Sequence, residues 1–81
     1  MKVRVRLFAS LREAVGEERL ELELAEGARV EGAWAALVER HPSLGARRAS
    51  LMAAVNRRYA AFEDALSNGD ELVFIPPVSG G

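Results

Sequence analysis

Val3, Val5 and Leu7 alternate with Arg4, Arg6 and Phe8, a period of two that predicts a half-buried strand. Residues 11–15, closed by Gly16, read as a turn or a short helix. A second alternating run covers residues 19–24, with Leu20, Leu22 and Leu24 inward and Glu21 and Glu23 outward. Paired antiparallel, the two strands bring Arg4 and Arg6 against Glu21 and Glu23 on the wet face. Cross-strand charge pairs of that kind contribute roughly 0.2–1 kcal/mol each. Glu26-Gly27 makes the next turn.

From there the period changes. Val30, Trp34, Leu37, Val38 and His41 recur at helical spacing, which predicts an amphipathic helix over residues 30–41. Pro42 stops it, because the residue before a proline is pushed out of helical dihedrals. Its start is weak: Ala28 and Arg29 stand where a serine, threonine or aspartate would cap, and lacking that cap costs about 1 kcal/mol. Residues 43–50 read as irregular. Residues 51–55 form a strand, Asn56-Arg57 a tight turn and residues 58–62 a short return strand. Ser67-Asn68-Gly69-Asp70 is a dense turn signal, and residues 71–75 make the final strand. Trp34 and Met52 fall within apolar periodicity and are expected in the core.

The order is therefore strand, strand, helix, strand, strand, strand. A single main helix covers one face of a mixed sheet, and parallel first and last strands at the sheet centre satisfy the right-handed crossover rule. That is the α+β class with the ubiquitin-like β-grasp architecture: residues 1–75 as the domain and 76–81 as a flexible tail.

Composition removes most chemistries. The chain has 81 residues, a net charge of -1 and no cysteine. Disulfides, thiolate metal sites and cysteine nucleophiles are excluded together, and the lack of cysteine fits a cytoplasmic protein. His41 is the one histidine and cannot hold a metal by itself. A near-neutral chain has no electrostatic case for nucleic acid, and no apolar run approaches the roughly 20 residues of a membrane helix. Lys2 is the one lysine, so no nucleophile–base pair can be assembled from the side chains.

What remains is the end of the chain, Pro76-Pro77-Val78-Ser79-Gly80-Gly81. The two prolines end the sheet and favour a stiff, extended exit, so six residues reach roughly 20 Å from the body. The glycine pair has no Cβ and fits a channel too narrow for other residues. The tail reads either as a frayed terminus or as the working part of the molecule, with the α-carboxylate of Gly81 as the reacting group. A carboxylate is ionised and inert toward nucleophiles at neutral pH. It becomes reactive only after a partner converts it to an acyl-adenylate, which a sulfur donor then attacks.

Several segments together resemble one family. They are Leu7-Phe8-Ala9, Leu11-Arg12-Glu13 with Gly16, Ala54-Val55-Asn56, Leu66, Gly69-Asp70-Glu71, Phe74 and the six-residue tail. In this combination the chain resembles the small subunits of molybdopterin synthase over nearly its whole length. The resemblance implies a sulfur carrier that is not catalytic alone but donates sulfur within a sulfurtransferase complex. An adenylating enzyme of the ubiquitin-activating type would use ATP to activate Gly81, leaving a covalent C-terminal thiocarboxylate and no bound cofactor or metal. The tail would enter the large synthase subunit, in a heterotetramer of two small and two large subunits. There it would donate sulfur to cyclic pyranopterin monophosphate.

Parity also predicts a docking face. Phe8 shares the outward parity of Arg4 and Arg6, and Val73 and Ile75 fall on the open side of the last strand, with Leu72 and Phe74 inward. Tyr59 is expected on the same surface, so that Phe8, Tyr59 and Ile75 form an apolar patch leading to the tail, unless a loop covers them. Arg12 is either a contact to an acidic partner pocket, as the resemblance implies, or a solvated arginine. Three other functions fit the same features: a sulfur carrier for tRNA thiolation, thiamin or cysteine synthesis, a ubiquitin-like protein modifier, and a plain interaction domain.

Overall fold

The period-two runs become strands whose alternate residues are shut away from water. In β1 (Lys2–Leu7), Val3, Val5 and Leu7 are fully buried while Lys2 and Arg4 are exposed. The chain continues through α1 (Ala9–Val15), β2 (Arg19–Glu23), α2 (Val30–Arg40), a 3₁₀ run (Pro42–Ser50), β3 (Met52–Val55), β4 (Arg58–Ala60) and β5 (Glu71–Ile75). This computed structural model describes residues 1–77, so Val78, Ser79, Gly80 and Gly81 lie outside the described residues. The sheet order is β2-β1-β5-β3-β4. β1 and β5 run parallel in its interior and all other pairs are antiparallel. The expected β-grasp is present, an α+β fold with one main helix on one face.

The helical face predicted by spacing is the buried one: Val30, Ala33, Trp34 and Leu37 join Leu72 and Phe74 of β5 in a single core. Phe74 is its hub. Its ring meets Trp34 edge-on at 5.0 Å and stacks near Phe62 at 6.1 Å. Aromatic pairs in such geometries contribute about 0.5–1.5 kcal/mol beyond the area they bury. Phe62 reaches the core because the return strand ends at Ala60, two residues earlier than expected. The 43–50 segment is ordered rather than irregular, since its 3₁₀ turns drive Leu44 into the core below α2.

The missing helix cap is real, and the tertiary structure replaces it. Arg29 caps α2 with no side-chain hydrogen bond. Instead the Val30 N–H donates to the Asp64 carbonyl at 3.0 Å and the Glu31 N–H to the Phe62 carbonyl at 2.9 Å. Leu66 N–H in turn donates to the Ala28 carbonyl at 2.8 Å. The first amides of a helix need partners from outside it, and here the 62–66 loop supplies them. Arg48 closes the same corner. Its guanidinium donates to both oxygens of Glu31 at 2.7–3.0 Å and lies 3.5 Å from the centre of the Phe62 ring.

Two further expectations are corrected. Met52 is 52% exposed rather than part of the core. The strand begins at Met52, with Leu51 and Ala53 inward, so Met52 stands on the open face opposite Ile75. The charge ladder is also shifted. Lys2 faces Glu23 and Arg4 faces Glu21, but Arg6 faces Arg19. Burying Val3 opposite Leu22 and Val5 opposite Leu20 sets this register, and the charged face must follow, because a one-residue slip would expose the whole apolar set.

Replacing the hub, Phe74→Ala, should lower the unfolding free energy by about 3–5 kcal/mol in denaturant titration. The Arg48 hydrogen bonds hold the Glu31 carboxyl below its ordinary value. A carboxyl lowered in the folded state contributes stability that is present above the unfolded value of about 4.3 and fades as pH falls through the lowered one. Glu31→Gln should therefore be less stable than the parent at neutral pH, and the difference should vanish in acid when both are titrated with denaturant.

Candidate functional site

β5 enters the sheet through the Ser67–Asp70 turn, and Asp70 organises that entry. One of its carboxylate oxygens accepts the Ser67 N–H at 2.7 Å and the other accepts Asn56 Nδ2 at 2.9 Å. Asn56 Oδ1 accepts the Glu71 N–H at 3.0 Å, and the Arg4 N–H reaches the Asp70 carbonyl at 2.9 Å. The β3–β4 hairpin, the turn and β1 are thus tied together where β5 begins. The Gly69-Asp70-Glu71 segment is structural in this chain: it sets the register that decides where the strand ends.

Asn56 and Arg57 form the two-residue hairpin turn, with φ of 50° and 72°. Two positive φ values in succession mark the type I′ turn, which matches strand twist and favours Asn-Gly. Asn56 suits its position. Arg57 does not, since a side chain in the left-handed region costs about 1–2 kcal/mol.

At its far end β5 delivers Ile75 between two shallow grooves. One, of about 280 Å³, is lined by Ala54, Arg57, Tyr59 and Ile75. The other, of about 570 Å³, runs from Phe8, Ala9, Ser10 and Glu13 of the α1 corner to Ile75, Pro76 and Pro77. Phe8 and Tyr59 are exposed, Tyr59 to 77%. Val73 lies half-buried between Arg6 of β1 and Ala54 of β3. The fold therefore gathers Phe8, Ile75, Pro76 and Pro77 in one groove, and Tyr59 with Ile75 in the adjoining one. Arg12 lines neither groove. It lies on α1 with Nη1 3.6 Å from Glu18 Oε1, both side chains about half exposed. Met52, Ala54, Ser10 and Glu13 were not expected on this face.

Among the described residues, no three His, Cys, Asp or Glu side chains are grouped to hold a metal ion. None of their helices is long and apolar enough to cross a membrane. What the face offers is apolar contact beside the end of β5, which suits docking.

A mixed five-stranded sheet with parallel first and last strands, one covering helix and an open face ending at the C-terminal exit defines a ubiquitin-like β-grasp protein. The chain belongs to the ThiS family, whose model matches residues 5–81. Its relatives include the molybdopterin synthase sulfur carrier subunit of Chlamydomonas reinhardtii, 37% identical over 83 residues that cover both chains fully. The Escherichia coli subunit of the same name is 38% identical, covering 98% of this chain and 99% of the other. The crystal structure of SAMP1 from Haloferax volcanii matches with a TM-score of 0.90 at 34% identity over the whole of both chains.

Asp70→Ala removes the shared acceptor and leaves the Asn56 amide and the Ser67 N–H without their partner. A loss of about 1–3 kcal/mol in unfolding free energy is expected, read by denaturant titration. Asp70→Asn should recover part of it.

Proposed function

We propose that this protein is the sulfur-carrier subunit of a molybdopterin synthase, with the α-carboxylate of Gly81 as its working group. The reading rests on the coincidence of two features. Full-length relatives bear that name, and β5 ends at Ile75 beside an apolar face whose groove Pro76 and Pro77 also line. Residues 1–75 act as the docking body and residues 76–81 as the arm that brings the carboxylate to partner active sites.

The chemistry follows from what a carboxylate lacks. A Gly81 oxygen attacks the α-phosphate of ATP in a ubiquitin-activating-type adenylating enzyme, and pyrophosphate leaves. A sulfur nucleophile then displaces AMP, and the carrier ends with a C-terminal thiocarboxylate. Gly80 and Gly81 add no side-chain bulk, so Val78-Ser79-Gly80-Gly81 thread into the large synthase subunit, where sulfur passes to cyclic pyranopterin monophosphate. Phe8, Tyr59, Val73 and Ile75 form the contact face for both partners, and Arg12 meets an acidic group at its margin. The carrier alone catalyses nothing; it is the sulfur-donating part of a heterotetramer of two small and two large subunits.

The likeness to SAMP1, a small archaeal modifier protein, favours a second reading, in which Gly81 is joined to lysines of other proteins. Intact-mass measurement after incubation with an adenylating enzyme, ATP and a sulfur source separates the two. Replacement of one oxygen by sulfur in the terminal peptide is expected, and diglycine remnants on target lysines would favour the modifier. Adding one untrimmable alanine after Gly81 should abolish sulfur loading and leave the unfolding curve unchanged. A sulfur-loaded extended chain would end the proposal.

A further inference from the structure

On the open face of the sheet, beside the grooves at Ile75, lies a cleft of about 450 Å³ lined by four arginines, Arg4, Arg6, Arg19 and Arg57, with Glu21 and Glu71 also on its walls. Three independent features of this cleft are unfavourable in the free protein. Arg6 and Arg19 stand directly opposite each other across β1 and β2, a like-charge pairing that destabilises a sheet. The Nε of Arg6 is shut off from solvent without a hydrogen-bond partner, although such a donor normally has one. Arg57 holds a left-handed φ of 72° where glycine is the ordinary residue. Among the described residues the ion pairs are Arg12 with Glu18 and Arg48 with Glu31, so none of the four guanidiniums is ion-paired. Strain gathered in one place is the mark of a functional surface.

We infer that this arginine cleft receives an acidic segment of the partner protein and works as the polar half of the docking face. An incoming carboxylate draws Arg6 away from Arg19, which uncovers the stranded Nε–H for it to accept, and meets guanidiniums shaped for two-point carboxylate binding. The cleft is continuous with the apolar half. Arg57 also lines the groove of Tyr59 and Ile75, and the Arg6 guanidinium carbon lies 5.1 Å from the centre of the Phe8 ring. Glu21 and Glu71 limit the net positive charge, and the whole chain carries -1. Both weaken the pull on a long phosphate backbone, while the four guanidiniums against two carboxylates keep the cleft itself net positive, enough for a short run of aspartate or glutamate. The inference rests on the proposed function only in taking the large synthase subunit as the partner.

The test compares the full chain with the Arg19→Gln/Arg57→Gly variant, with Arg19→Lys as a control that keeps the charge alone. The double variant should melt no lower than the parent, since it loses a repulsion and a left-handed side chain. Its Kd for the large synthase subunit should nonetheless rise about tenfold at low salt, with a shallower salt dependence, while Arg19→Lys, which keeps the charge and loses the two-point geometry, falls between the two. A short polyglutamate peptide should move the Arg6 Nε–Hε resonance of the parent and not that of the double variant. If the large subunit fails to bind the parent while polyglutamate still moves that resonance, the functional reading falls and the cleft stands. Equal affinity of parent and double variant for the large subunit overturns the inference. So does tighter binding of oligothymidylate than of polyglutamate at equal salt. Movement of the Arg6 signal on deleting Gly80-Gly81 would overturn it too, by making the chain's own end the occupant.

Discussion

The parallel pairing of β1 with β5 is the constraint on which the rest of this molecule depends. It places the last strand in the sheet interior, between β1 and β3, so its two faces have different fates. Leu72 and Phe74 go beneath α2 and hold the core together, whereas Val73 and Ile75 lie on the side no helix covers. An apolar row on an uncovered face is tolerable only if it is short, flanked by charge, or meant for another surface. Here it is short and flanked by charge. The same pairing fixes the point at which the chain leaves the body, because β5 can end only where its ladder to β1 and β3 ends.

This arrangement keeps the stabilising contacts apart from the unfavourable ones. The aromatic cluster of Trp34, Phe62 and Phe74, the loop carbonyls capping α2 and the Glu31–Arg48 pair all sit on the helix side of the sheet or at its corner. The open face contains the features that do not help the free chain to fold, namely exposed Phe8, Met52 and Tyr59, the opposed Arg6 and Arg19, and the left-handed Arg57. A small domain has little stability to spare. It can tolerate such a face only because the other side is tightly packed.

The end of β5 is built differently from its beginning. The described part of the exit is half-buried Pro76 and exposed Pro77. Proline takes no part in the ladder as a donor, and β5 stops at Ile75, just before Pro76. The Asp70 network at the opposite end of β5 does the complementary work: it prevents the strand from sliding and thereby keeps the exit beside Phe8 and Tyr59.

Read alone, the sequence carries the parity of β1 and β5 and the buried face of α2, and it narrows the chemistry to be expected of the chain. Alternation in residues 3–7 and 71–75 separates Val3, Val5, Leu72 and Phe74 from Arg4, Arg6, Val73 and Ile75, and helical spacing selects Val30, Trp34 and Leu37. Lacking cysteine and having one histidine and one lysine, the side chains leave the terminal carboxylate as the candidate group. Register and long-range partners belong to the tertiary structure. Which residue stands opposite which is decided by burial across two strands at once, and that is why Arg6 meets Arg19 and Met52 meets Ile75. The cap of α2 comes from carbonyls more than twenty positions away in the chain, and no local pattern records a hydrogen bond between distant backbone segments. A period of two tells which way a side chain points; only packing decides what it points at.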